Sequence, residues 1–202
     1  MKITAIRQQE KLKDRYSVFV DGAYAFSVSE KLLLDSKLAS GQELDAAQLQ
    51  DWKQQSADDK LYGRALRYAA MRLRSEWELR FYLQRKGASP ALADSILNKL
   101  SKLDFVNDKK FAEAWIANRR LLCPTSKRKL QQELRAKRVA GDIIEQALAE
   151  DGTDERTALR DLIAKKRARY PDDLKLMQYL SRQGFGYDDI KAALHEMDED
   201  RK

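Results

Sequence analysis

Four cations on one short segment carry the clearest chemical potential in this chain. They are Lys127, Arg128, Arg135 and Arg138, within the run SKRKLQQELRAKR that starts at Ser126. At 3.6 residues per turn they gather within about 100° of one helix face. Leu130 and Leu134 are four apart and face the core, and Glu133 points away from the cations. A merely solvated helix surface mixes signs so that i,i+4 neighbours pair. A block of one sign repels itself until a partner neutralises it, and phosphate, bound with release of condensed counterions, is the usual partner. An acidic protein groove is the other candidate, and an ordinary soluble surface is the plain alternative. The same reasoning applies more weakly to Arg64, Arg67, Arg72, Arg74, Arg85 and Lys86, which are mixed with Glu76 and Glu78.

Chemistry of other kinds finds little footing. A catalytic site needs convergent titratable groups. His195 is the only histidine and Cys123 the only cysteine, so neither has a second His or Cys at metal-ligand spacing. A surface histidine and a small half-buried hydrophobe are their simplest roles. Phosphate-cradling glycine loops are absent. The pairs Asp58-Asp59, Asp172-Asp173 and Asp188-Asp189 fall at expected helix starts, where they complement the helix dipole. The expectation is a binding protein, not an enzyme, with no cofactor and no metal.

The elements that position the cations form a repeat. Ser75 to Gly87, SEWELRFYLQRKG, returns as Ser126 to Arg138 and as Pro171 to Gly184. Anchored on Leu83, Leu134 and Leu180, the copies share Leu79, Leu130 and Leu176 four residues earlier. Leu97, Leu148 and Leu194 follow fourteen residues later. Each copy sits between two further helical stretches. Leu61 to Arg74 precedes the first, with Leu66, Ala69, Ala70 and Leu73 on one stripe. Before the second copy, Phe111, Trp115 and Leu122 share a stripe. Ser75 with Glu78 reads as a capping box, Gly87 as a C′ glycine, and Ser89-Pro90 as the next helix start. Trp77, Phe81 and Tyr82 fall at helical spacing and read as core.

The first 57 residues differ. Lys2 to Gln9, Arg15 to Val20 and Ala23 to Val28 read as strands. Asp21-Gly22 between the last two is a hairpin signal. Ser29 caps a short helix, EKLLLDS. The fold class expected is therefore mainly α: three tandem three-helix repeats in an elongated array, straight or curved, after a small three-stranded N-terminal segment. The boundaries are 1–57, 58–106, 107–153 and 154–202. Units of this size cannot each bury a full hydrophobic face, so neighbours must stack.

The chain of 202 residues carries a net charge of +7. Residues 1–57 are neutral, residues 58–150 hold twenty basic against twelve acidic side chains, and residues 151–202 balance at −1. The N-terminus lacks the apolar stretch of a signal peptide, no run is long enough to span a membrane, and one cysteine fits a reducing compartment. A cytoplasmic monomer is expected.

Three motif sets add specificity. Arg72-Leu73-Arg74-Ser75 with Glu78-Leu79, Leu83 and Lys86-Gly87 resembles the first-repeat signature of the RecX family of bacterial RecA regulators. Leu103-Asp104-Phe105-Val106-Asn107-Asp108, then Phe111-Ala112, Trp115, Arg119 and Arg120, resembles its continuation. Tyr179-Leu180-Ser181-Arg182-Gln183-Gly184-Phe185, with Tyr187 and Ile190, is similar to the third-repeat motif. The N-terminal hairpin, with Asp14-Arg15-Tyr16 and Asp21-Gly22, is similar to the extension of longer members. The chain departs from the family at Pro124-Thr125 and at Lys137-Arg138-Val139, where Lys-Gly-Ile is common. There an arginine stands at a C′ position, which implies a different turn or a left-handed strain of about 1 kcal/mol. The resemblance implies binding to the RecA–DNA filament, with contacts to single- and double-stranded DNA. It also implies modulation, in the inhibitory direction, of recombinase, ATPase and coprotease activities in recombination and SOS repair. Arg119 and Arg120 join the expected anchors on this ground. An autonomous DNA-binding module and a helical scaffold for an acidic protein partner are the competing readings. Base-specific readout is not implied, since no recognition helix places Asn or Gln for base edges.

Overall fold

A computed structural model describes residues 1–199. Residues 200–202, the end of the acidic C-terminal segment, lie outside the described residues. Strands β1 (Ile3–Gln8), β2 (Arg15–Val20) and β3 (Ala23–Ser29) form an antiparallel sheet in that order. Asp21 (φ 50°) and Gly22 (φ 83°) both adopt the left-handed conformation that the tight β2–β3 turn demands. Helix α1 (Glu30–Ser36) is capped by Ser29, whose Oγ accepts from the Leu32 N–H. Helix α2 (Ala46–Ala70) opens on a complete capping box made by Asp45 and Gln48.

The sheet leans on α2. Phe26 stacks on Trp52 with ring centroids 5.8 Å apart. Ser56 Oγ donates to the Ser27 carbonyl at 2.6 Å, and Arg15 pairs with Asp59 at 2.8 Å. This explains a difference from the sequence expectation. The helix expected over Leu61 to Arg74 begins at residue 46 and stops at Ala70. Its first half turns Trp52, Ser56 and Asp59 to the sheet, and its second half buries Ala65 and Ala69, while Ala70 and Leu73 are exposed. One helix serving two neighbours cannot keep a single stripe.

Eight more helices follow: α3 (Glu76–Arg85), α4 (Pro90–Lys102), α5 (Asp108–Leu122), α6 (Lys127–Ala136), α7 (Gly141–Glu150), α8 (Glu155–Lys166), α9 (Asp173–Arg182) and α10 (Tyr187–Glu199). Leu79, Leu83, Leu130, Leu134, Leu176 and Leu180 are all fully buried. Leu130 and Leu134 pack with Phe111, Ile116, Ile144 and Ala147 in one core, and Leu176 and Leu180 with Leu159, Leu162, Phe185 and Ile190 in another. Three expected core residues are at the surface: Trp77 and Phe81 are 39% and 47% exposed, and Leu122 is 77% exposed. On α5 Ile116, which the expected stripe does not include, is buried with Phe111. Tyr82 is half-buried and stacks on Tyr68, centroids 4.1 Å apart. The chain resolves into two compact units. One holds Met1–Arg72 and Leu79–Phe105, the other Leu73–Glu78 and the chain from Val106 onward.

The helices α3, α6 and α9 end in the same turn. Gly87, Arg138 and Gly184 have φ of 86°, 58° and 91°. In each, the next N–H reaches back to the anchor leucine carbonyl: Ala88 to Leu83, Val139 to Leu134 and Phe185 to Leu180. Of the two alternatives at Arg138, the structure adopts the strained left-handed arginine, not a different turn. Arg138→Gly should therefore raise stability by about 1 kcal/mol, read as a higher urea midpoint at unchanged slope.

Candidate anion-binding face

Helix α6 starts at Ser126, whose Oγ accepts from the Lys129 N–H at 3.1 Å. Leu130 and Leu134 fix its rotation, which turns Arg128 and Arg135 into solvent, with exposed Arg138 just past its end. Lys127 is half-buried. Arg128, Arg135 and Arg138 form no ion pair among the described residues. Glu133 is drawn to α5, where its carboxylate accepts from Trp115 Nε1 at 2.9 Å and pairs with Arg119 Nε at 2.8 Å. The face is thus cleared of the one acid that α6 itself carries. A carboxylate that the helical pattern does not point to is Glu155, which accepts from the Lys127 backbone N–H at 2.9 Å.

Both ends of α6 are held by neighbouring helix termini. At its end, the Lys137 carbonyl accepts from Ser75 Oγ at 3.0 Å, and Lys137 Nζ pairs with Glu78 at 2.7 Å. At its start, the Ser126 N–H donates to the Gln183 carbonyl at 3.2 Å, and Thr125 Oγ1 donates to Gln183 Oε1 at 3.2 Å. The pattern repeats once more in the acids: Asp108 accepts from the Glu76 N–H at 2.7 Å, as Glu155 does from Lys127. Burial pushes the Asp108 carboxyl above its ordinary value, against the Glu76 N–H that steadies its charge.

The other expected anchors separate. Arg120 is engaged internally. It pairs with Asp151 at 2.7 Å, donates to the Thr125 carbonyl, and its side chain is only 11% exposed. A guanidinium so enclosed and already paired with a carboxylate is little open to a phosphate, and it is set aside as an anchor. Arg74 is buried and is set aside too. Arg119 keeps part of its guanidinium in solvent, over the Trp115 ring at 5.3 Å. Arg64, Arg67, Arg72 and Lys86 are exposed in the first unit. Arg64 and Lys86 line one cleft there with Lys60. Lys60 is hidden in the sequence by its neighbours Asp58 and Asp59, although its i,i+4 spacing to Arg64 is a usable signal.

Asp151 gives the Arg120 pair a pH signature. Burial pushes its carboxyl up, but hydrogen bonds from Arg120 and Thr153 outweigh this and hold it below the ordinary carboxylate value. A depressed folded value means stabilisation that is full above the unfolded value of about 3.9 and is lost as pH falls through the folded value. Asp151→Asn should lower stability at neutral pH and flatten the loss of melting temperature as pH falls below about 4.

Comparison with known proteins places this geometry. Family models for the regulatory protein RecX N-terminal domain, the first RecX three-helix domain and the second match residues 1–45, 62–100 and 107–148. A regulatory protein RecX from Bacillus subtilis (strain 168) is 32% identical over 209 aligned residues, 98% of this chain and 79% of that one. The chain belongs to the RecX family. A second RecX relative, from Listeria innocua, is 36% identical over 154 residues. That alignment takes in 76% of this chain, which spans only 57% of the relative's length. Among solved structures, a crystal structure of regulatory protein RecX superposes with a TM-score of 0.76 at 25% identity, covering 96% of this chain and 98% of its own. RecX from Lactobacillus salivarius superposes with a TM-score of 0.60 at 29% identity, over 70% of this chain and 97% of its own. The relatives are named as regulatory proteins. No helix among the described residues is long and apolar enough to cross a membrane.

Proposed function

We propose that this RecX-family chain binds the RecA–DNA filament and inhibits RecA recombinase, ATPase and coprotease activities. The supporting observation is the face of α6, where Arg128, Arg135 and Arg138 stand exposed while Glu133 is held away on α5. Lys127 flanks them, and Arg64, Arg67, Arg72, Lys86 and Arg119 supply further positive charge. These cations neutralise filament phosphates or acidic side chains without reading base sequence. Binding through several repeats at once gains from effective concentration, because the second attachment is intramolecular once the first is made.

The test is DNA-stimulated ATP hydrolysis by RecA, titrated with substoichiometric protein, alongside co-sedimentation with preformed filament. Inhibition and co-sedimentation are expected. Unchanged hydrolysis at every ratio refutes the proposal. The charge of residues 58–150 supports a second reading, an autonomous DNA-binding module. Binding to bare DNA as tight as binding to filament would favour it.

A further inference from the structure

The seat at the end of α6 shows what the repeat holds at that point. Lys137 receives a helix start, taking the Ser75 hydroxyl on its carbonyl and the Glu78 carboxylate on its Nζ. The seat at the end of α9 is also filled: a Cβ on Gly184 would collide with Ser126 Oγ. The corresponding seat at the end of α3 is Lys86-Gly87. There a Cβ on Gly87 would meet nothing within 4 Å. The seat opens instead on a cleft of about 400 Å³ between α2 and the α3–α4 turn.

Three cations line that cleft. Lys60 and Arg64 stand one turn apart on α2, a like-charge spacing that weakens a helix unless something neutralises it. Lys86 faces them from the α3 turn, its Nζ 5.7 Å from the Tyr82 ring centroid. The one carboxylate in the lining, Asp58, accepts from Gln54 Nε2 at 2.9 Å. Lys60, Arg64 and Lys86 form no ion pair among the described residues. Leu61 and Leu92 supply an apolar wall. A concave site gathers the field of the cations that line it more than a flat surface does.

We propose that this cleft binds a phosphodiester group of a nucleic-acid strand. The internal seat satisfies one carboxylate with one lysine. Three converging cations exceed that need, and Arg64 adds the planar fork that suits phosphate oxygens. The apolar wall then lies against the sugar. The inference deepens the filament reading and rests on it in one respect: the strand in question is the filament's DNA.

The test uses the full chain and 5′-fluorescein-labelled dT20, followed by fluorescence anisotropy across a salt series. The triple variant Lys60→Gln/Arg64→Gln/Lys86→Gln should bind at least about tenfold more weakly. Its log–log salt slope should be shallower by about 0.7, the value for one single-strand phosphate contact. Its urea midpoint should hold or rise, since like charges have been removed. Unchanged affinity and slope overturn the proposal. So does competition by adenosine triphosphate matched in phosphate concentration, which would assign the cleft to free nucleotide. A variant that keeps dT20 binding but loses co-sedimentation with RecA filament would assign the cleft to a protein carboxylate, overturning the proposal and leaving the filament reading intact. If instead wild-type chain never co-sediments with filament, yet the variant loses dT20 binding, the filament reading fails and the cleft assignment stands.

Discussion

Replacing Arg128, Arg135 and Arg138 together with glutamate should weaken binding to RecA filament by roughly two to three orders of magnitude. Each charge-assisted hydrogen bond to the partner is worth about 1.5 kcal/mol, and each 1.4 kcal/mol is about tenfold. Reversal also sets three carboxylates against whatever anion had been bound. The salt dependence should shrink along with the affinity, by about one in log–log slope for each phosphate released. Inhibition of RecA ATP hydrolysis should disappear over the same concentration range. The fold is not expected to suffer, because all three side chains are exposed and such surface changes usually stay within about 0.5 kcal/mol. Arg138 is left-handed already, so glutamate there inherits a strain that arginine had. Equal inhibition by the triple variant and the wild type would remove α6 from the interface.

The largest effect on stability is expected at Asp59. Its carboxylate accepts from the Ser29 N–H at 2.9 Å and the Ser29 hydroxyl at 2.6 Å, and pairs with Arg15 at 2.8 Å. The Arg15 and Asp59 side chains are only 7% and 11% exposed. Arg15 also donates to the Ser27 carbonyl at 3.0 Å, so one carboxylate fixes the end of β3, the cap of α1 and the β2 arginine to α2. Asp59→Ala leaves the guanidinium buried without its counter-ion, a change that costs about 3–5 kcal/mol. The double replacement Arg15→Met/Asp59→Leu should lose much less, because no charge is then stranded. Urea denaturation of the two variants checks both statements. A loss below about 1 kcal/mol for Asp59→Ala would mean that water reaches the pair.

Which of these features can be read from sequence follows from their range. The leucine anchors are legible because helix packing repeats every three to four residues, and the Asp21-Gly22 turn because two adjacent residues carry its whole geometry. The withdrawal of Glu133 from the basic face follows from helical phase. Its destination does not, since Trp115 and Arg119 lie on another helix. Arg120 shows the limit most clearly. In sequence it matches Arg119 beside it, and only the fold brings Asp151, 31 residues on, against it. The bond from Ser75 to the Lys137 carbonyl has no sequence signature at all, because a backbone acceptor is the same at every residue. Trp77 and Phe81 fail in the opposite sense: their spacing is that of core residues, but periodicity does not say which side of a short helix a neighbour covers.

The two tethers on α6 bear on how tightly its arginines can hold a partner. A surface helix that frays at its ends must be ordered when it binds, and that entropy is subtracted from the affinity. Here the first turn is held through Ser126 and Lys127, and the last through Lys137. The backbone that carries Arg128 and Arg135 is already set before any partner arrives. What remains to be immobilised is side-chain rotamers alone, about 0.5–1.5 kcal/mol for each arginine. Loosening either tether, at Ser75 or at Thr125, would weaken binding without touching a single cation.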